Sequence, residues 1–137
     1  MKRRIVIADD ELIITSLVSL RLGLAQFEVL SAADGDEALA LIRKCEPVAA
    51  ILDMQMPCKS GKDVLGELKA DPVTNKLPVM MLTGERDPGT IMRAVGAGAG
   101  DYMVKPFDPD KLLERVSRLV RSSAMIWTRA APSVWEL

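Results

Sequence analysis

The chain has 137 residues, 49% hydrophobic and 27% charged, which is enough for one globular domain and excludes a disordered chain. A formal net charge of −1, with no basic run, gives no general attraction to nucleic acid or to an anionic membrane. Histidine is absent, so histidine acid–base catalysis, histidine metal ligation and phosphohistidine on this chain are all excluded.

The opening Met1-Lys2-Arg3-Arg4 has the charge of a signal peptide, but only Ile5-Val6-Ile7-Ala8 follows before three acids. That run is too short for a signal core or a membrane span. Cys45 and Cys58 have no metal-ligand spacing and read as reduced thiols in a cytoplasmic setting.

Apolar runs then alternate with helical patterns five times. Residues 3–8 read as a strand and 11–24 as a helix. Residues 27–32 are a strand and 35–44 a helix, 48–52 a strand and 61–70 a helix. Residues 78–82 are a strand and 89–97 a helix, and the series closes with a strand over 101–104 and a helix over 109–120. This alternation predicts an α/β fold with parallel strands joined by right-handed crossovers. The runs Ile5-Val6-Ile7, Val48–Leu52 and Val79–Leu82 are continuously apolar, as in strands covered on both faces. Phe27–Ser31 carries polar residues and Tyr102–Val104 is short, which suits sheet edges. A doubly wound five-stranded parallel sheet of order 2-1-3-4-5, the flavodoxin-like arrangement, follows.

In such sheets ligands sit beyond the carboxyl ends of the strands. Those ends carry Asp9, Asp10 and Glu11 after the first strand and Asp53 after the third. Thr83 follows the fourth and Lys105 the fifth. Bare carboxylates gathered there would repel, and a hard divalent cation such as Mg²⁺ relieves this. One carboxylate can then act as a nucleophile toward phosphorus, with a hydroxyl and a lysine to hold the phosphoryl oxygens. Each residue also has a plain reading. Asp9 or Asp10 can cap the first helix, Asp53 a loop turn, and Thr83 can begin a turn before Gly84. Lys105 can be a solvated lysine. The first helix carries two apolar stripes, Ile13, Leu17, Leu20, Leu24 and Ile14, Val18, Leu22. Either both face the core as one wide stripe, or one is left over beside Asp9 and Asp10.

With these residues in place, the chain resembles the receiver domain of two-component response regulators. The likeness rests on Ile5-Val6-Ile7-Ala8-Asp9-Asp10-Glu11, Leu52-Asp53-Met54-Gln55-Met56-Pro57, Gly61, Leu82-Thr83-Gly84 and Gly98-Ala99-Gly100-Asp101-Tyr102-Met103-Val104-Lys105-Pro106-Phe107. It implies a receiver unit over residues 1–120 and a tail over 121–137. It also implies Asp53 as phosphoacceptor and a Mg²⁺ site, with Mn²⁺ as a substitute, held by Asp9, Asp10, Asp53 and the Gln55 carbonyl. Thr83 and Lys105 would hold the phosphoryl oxygens, and the Lys105-Pro106 peptide would be cis. Thr83 and Tyr102 would form a switch onto the surface of helix four, strand five and helix five. Gln55 and Glu85 would tune water attack on the phosphoaspartate. The implied partners are a sensor histidine kinase or histidine phosphotransfer protein and a downstream protein target. Neither nucleic acid nor membrane is implied, and the expected state is a cytoplasmic monomer or weak dimer. The unit would be no enzyme beyond its own phosphorylation and slow autodephosphorylation.

Other readings compete. A haloacid-dehalogenase-like phosphatase also uses a strand-end Asp with Mg²⁺, but it carries a second acid where Gln55 stands. A flavodoxin-like cofactor binder would place phosphate at the first helix, where three acids repel it. A pseudo-receiver would signal without phosphate. The tail holds Trp127 and Trp135. It reads as a linker stub, a frayed end or an added piece foreign to the native chain, or else its tryptophans dock on a partner or a second copy.

Overall fold

Three short strands with fully buried interiors form the centre of this molecule's sheet, because their side chains must be apolar on both faces. The computed structural model describes residues 2–84 and 88–127. In it β1 (Arg3–Ala8), α1 (Leu12–Leu24), β2 (Phe27–Ala32), α2 (Gly35–Cys45) and β3 (Ala49–Asp53) are followed by α3 (Gly61–Ala70), β4 (Val79–Thr83), α4 (Pro88–Gly96), β5 (Asp101–Val104) and α5 (Pro109–Arg121). In β1 the burial begins at Ile5, after the exposed Arg3 and Arg4.

All pairings are parallel and the order is β2-β1-β3-β4-β5, as expected from the strand patterns. The mixed strands β2 and β5 are the partly exposed edges. Two strands lie one residue later than the apolar runs suggest. Asp53 and Thr83 are therefore the last residues of β3 and β4, paired with Leu82 and Val104. The ladder continues past both ends, since Met54 N–H donates to Leu82 O at 2.8 Å and Lys105 N–H to Thr83 O at 2.7 Å. This pins the side chains at the strand mouths to stiff backbone.

The two faces hold separate cores. Ile5, Ile7, Ile51, Met80 and Leu82 pack under α1 and α5 through Val18, Leu22, Leu112 and Val116. Val6, Ala50, Leu52, Val79 and Met81 pack under α2 and α3 through Leu39, Ile42, Val64, Leu65 and Leu68, with Ala94 from α4. The alternation along each strand separates these sets, because successive side chains point to opposite faces.

Helix starts are capped by local polar residues. Asp34 accepts from Glu37 N–H, Ser60 from Asp63 N–H, and Asp108 from Asp110 N–H with Pro109 opening α5. The start of α1 differs. Its N-cap residue is Glu11, whose side chain makes no cap bond.

On α1 the stripe Ile14, Val18, Leu22 turns to the sheet, and Leu12, Ile13, Leu17, Leu20 and Leu24 are left exposed. The single wide core-facing stripe is thus not what forms; the helix covers the sheet with only one of its faces. After α5 the chain folds back toward the sheet. Trp127 packs against the core under α2 and α3, and its indole N–H donates to Pro47 O at 2.6 Å. Trp127 therefore docks on its own chain, while Trp135 lies outside the described residues. Both cysteines are free, and no helix among the described residues is long and apolar enough to cross a membrane.

Candidate phosphoacceptor site

A cavity of about 690 Å³ opens beyond the carboxyl ends of β1, β3, β4 and β5. Asp10, Glu11, Asp53, Gln55, Thr83 and Lys105 line it, together with Met54, Met56 and Pro57. Asp9 lies beneath, 2% exposed, and Asp53 and Thr83 are buried to a similar degree. Four strand ends far apart in sequence thus meet at one place, which is where the parallel order puts them.

The local-turn readings turn out to be part of how the site is built. Asp9 Oδ1 accepts from Glu11 N–H at 2.9 Å, and Asp53 Oδ1 accepts from Gln55 N–H at 3.3 Å. Each backbone bond uses one carboxylate oxygen and leaves the other toward Lys105. Lys105 Nζ lies 2.7 Å from Asp9 Oδ2, 3.2 Å from Glu11 Oε1 and 3.4 Å from Asp53 Oδ2. It is not a solvated lysine, since its side chain is only 14% exposed. Its peptide to Pro106 is cis, as the resemblance implies.

The charges are unequally satisfied. Burial pushes the Asp53 carboxyl up to about 6 from its ordinary 3.8, and the neighbouring Asp9 charge pushes the same way. The Gln55 N–H and Lys105 pull it down without cancelling the rise. Burial would lower the Lys105 ammonium, yet ion pairs with Asp9 and Glu11 and the charge of Asp53 hold it above the usual lysine range. Asp9 Oδ2 is buried, and the cation that faces it is Lys105, 2.7 Å away. Asp9, Asp10 and Asp53 each offer an oxygen within 4.8 Å of the others. Three carboxylates in an all-oxygen donor set, two of them facing one lysine, fit a hard divalent cation.

Thr83 and Tyr102 are related by the sheet. Tyr102 pairs with Met81, two residues before Thr83, so both side chains belong to the face under α3 and α4. Tyr102 is half-buried there, and its carbonyl accepts from Arg115 Nη1 at 2.9 Å. It stands outside the cavity itself. Gln55 is exposed at the rim, and Glu85 lies outside the described residues.

Two features of the site have no signal in sequence pattern. Glu11 is visible there as a third acid, but its contact with a lysine 94 residues away is not. Gly61, a motif match only, touches the backbone of the nucleophile candidate: a Cβ there would lie 2.0 Å from Asp53 O.

The fold and the strand-end site together define a signalling domain of the receiver class. The chain belongs to the response regulator receiver domain family, whose model matches residues 5–117. It is 37% identical over 123 residues to the DNA-binding dual master transcriptional regulator RpaA of Synechocystis, a match that takes in 90% of this chain and 51% of that protein. The chain spans about half the length of the curated relatives it matches. Among solved structures it is similar to the chemotaxis protein CheY4 of Vibrio cholerae, with 33% identity, a TM-score of 0.81, and coverage of 87% of this chain and 99% of that one. It is also similar to the beryllofluoride-activated receiver domain of Klebsiella pneumoniae RstA, with 26% identity, a TM-score of 0.81, and coverage of 88% and 100%.

Proposed function

We propose that this domain takes a phosphoryl group from a partner's phosphohistidine onto Asp53 and signals its loading by protein contact. The observation that carries this is the convergence of Asp53, Asp10, Thr83 and Lys105 on one cavity, with Asp9 beneath it against Lys105. An Asp53 oxygen forms the new P–O bond as the bond from phosphorus to the donor imidazole nitrogen breaks, and that nitrogen leaves with the electron pair. Lys105 pairs with a phosphoryl oxygen, and the Thr83 hydroxyl donates to another. Asp9, Asp10, Asp53 and the Gln55 carbonyl would hold Mg²⁺ or Mn²⁺, which when bound neutralises the carboxylates and the charge on the transferred group. Gln55, an amide where a hydrolytic enzyme of this chemistry needs a second acid, favours storage of phosphate over turnover.

The donor's docking place is the uncovered face of α1. Leu17, Leu20 and Leu24 form an apolar groove of about 220 Å³ with Arg21, Pro109 and Asp110 of the α1–α5 seam. The Arg21–Asp110 ion pair at 2.6 Å holds that seam closed. A histidine-bearing helical partner seated there would present its ring toward Leu12, Ile13 and the acids beyond. The free thiols of Cys45 and Cys58 suit a cytoplasmic setting. The domain boundaries follow the same reading, with residues 1–120 as the receiver and 121–137 as its tail. The relatives named as DNA-binding regulators favour a second output, transcriptional, through a DNA-binding unit joined to a domain like this one. Nothing in these 137 residues' own charge attracts DNA.

Acetyl phosphate with Mg²⁺, read by intact mass, tests the assignment. The wild type should gain one phosphoryl group and Asp53→Asn none; an unchanged wild-type mass overturns it. The switch has its own test. Thr83→Ala should load with phosphate to a similar extent yet lose most of the change in Tyr102 fluorescence or in target binding. Full signalling by Thr83→Ala would refute the Thr83–Tyr102 coupling.

A further inference from the structure

Lys105 is gripped by three carboxylates, and they are not alike. Asp9 is fully buried at its side chain and Asp53 9% exposed, whereas Glu11 is 60% exposed. Asp9 and Asp53 are also tied to backbone N–H groups, while among the described residues Lys105 is the one group that restrains the Glu11 carboxylate. A lysine ammonium has three donors. An arriving anion competes with these three carboxylates for the ammonium. Glu11 is the one that gives way most easily, since it has the longest side chain of the three and water to receive its charge.

The position of Glu11 supports this role. It is the N-cap residue of α1, where a side chain ordinarily serves the helix, yet it makes no cap bond and reaches across the cavity mouth to a residue 94 positions later. No acidic residue occupies the first turn of α1 to take its place.

We infer that Glu11 is a latch: it holds Lys105 in the unloaded site, is displaced when a phosphoryl oxygen takes the lysine, and so lowers the domain's affinity for its phosphoryl group. The inference rests on the phosphoacceptor reading above. Glu11 is a positioning residue, acting through Lys105, and the latch sets how readily the domain loads.

Beryllofluoride, titrated with Mg²⁺ present into the wild type, Glu11→Asp and Glu11→Gln and followed by ¹⁹F NMR, tests the latch. Aspartate keeps the charge but is one methylene too short to span to Lys105. Both variants should bind roughly threefold to fivefold tighter, the range of one partly exposed ion pair, and in the ligand-free state both should shift the Lys105 side-chain resonances. If Glu11→Gln tightens binding while Glu11→Asp matches the wild type, unpaired charge and not the grip on Lys105 is responsible, and the latch is wrong. Wild-type affinity in both variants, or weaker binding in both, also overturns it. A wild type that takes up no beryllofluoride removes the phosphoacceptor reading and the latch with it, a result distinct from any difference among the variants.

Discussion

Gly61→Ala should lower the stability of the folded domain by about 1–3 kcal/mol, the range for forced overpacking of a buried site. The added Cβ would lie 2.0 Å from Asp53 O and 2.8 Å from Asp53 C, and both are backbone atoms of a strand paired on each side. Neither can rotate away, so α3 or the end of β3 must move. Movement there carries Asp53 out of line with Lys105 and Thr83, so phosphorylation by acetyl phosphate should fall as well. The same helix supplies the control. A Cβ placed on Gly66 would meet nothing within 4 Å, and Gly66→Ala should stabilise by up to about 1 kcal/mol through helix propensity alone. Denaturant unfolding of the pair decides it: equal effects at both positions would mean that the contact with Asp53 has no energetic weight.

Asp53→Asn should make the metal-free domain more stable at neutral pH, although it destroys the proposed nucleophile. The folded-state pKa of Asp53 is about 6 against 3.8 for the free side chain. Between those values the folded protein binds more protons than the unfolded chain, so stability falls as pH rises through that window. Above it the ionised carboxylate is a standing cost, on the order of 1–3 kcal/mol. Asparagine removes this charge and keeps the shape. Thermal melts in chelator near pH 7.5 should therefore show a higher Tm for the variant by several degrees. The gap should close as the pH is taken down toward about 4. Mg²⁺ should raise the wild type more than the variant, because only the wild type has all three carboxylates. A variant that melts at or below the wild type at neutral pH in chelator would show that Asp53 is not destabilised by its surroundings.

These two results concern opposite sides of one arrangement. The sheet forces four strand ends together, and Gly61 allows α3 to close over one of them. Burial at that junction, with the neighbouring Asp9 charge, raises Asp53, and Lys105 answers it. Under the proposed function, a site that is costly when empty would have the most to gain from a cation and a phosphoryl group, the property that a signalling switch requires.

Much of the fold is legible in the order of residues. The apolar runs mark each strand to within a residue, because a strand covered on both faces admits no polar side chain in its interior. The polar interruptions in Phe27–Ser31 mark an edge for the same reason. The same runs put Asp53 and Thr83 just past their strands, yet both are the last paired residues. An apolar pattern ends where side chains turn polar, while the hydrogen-bond ladder continues through the backbone of any residue but proline. The two stripes of α1 are both visible, but periodicity does not say which one meets the sheet. The angle at which the helix packs chose Val18 and Leu22 and left Leu17, Leu20 and Leu24 in water.

Local pattern was enough for the parallel sheet, its strand order and the identity of the polar residues at its mouth. These follow from side-chain period and from the few connections that parallel strands allow. Which of those polar groups touch was left to packing. Packing put Lys105 within reach of Glu11 as well as Asp9 and Asp53, set Gly61 against the backbone of Asp53, and turned Trp127 back onto Pro47. Such contacts depend on distances of a few ångströms between segments tens of residues apart. Side-chain pattern carries no record of those distances until the backbone has closed.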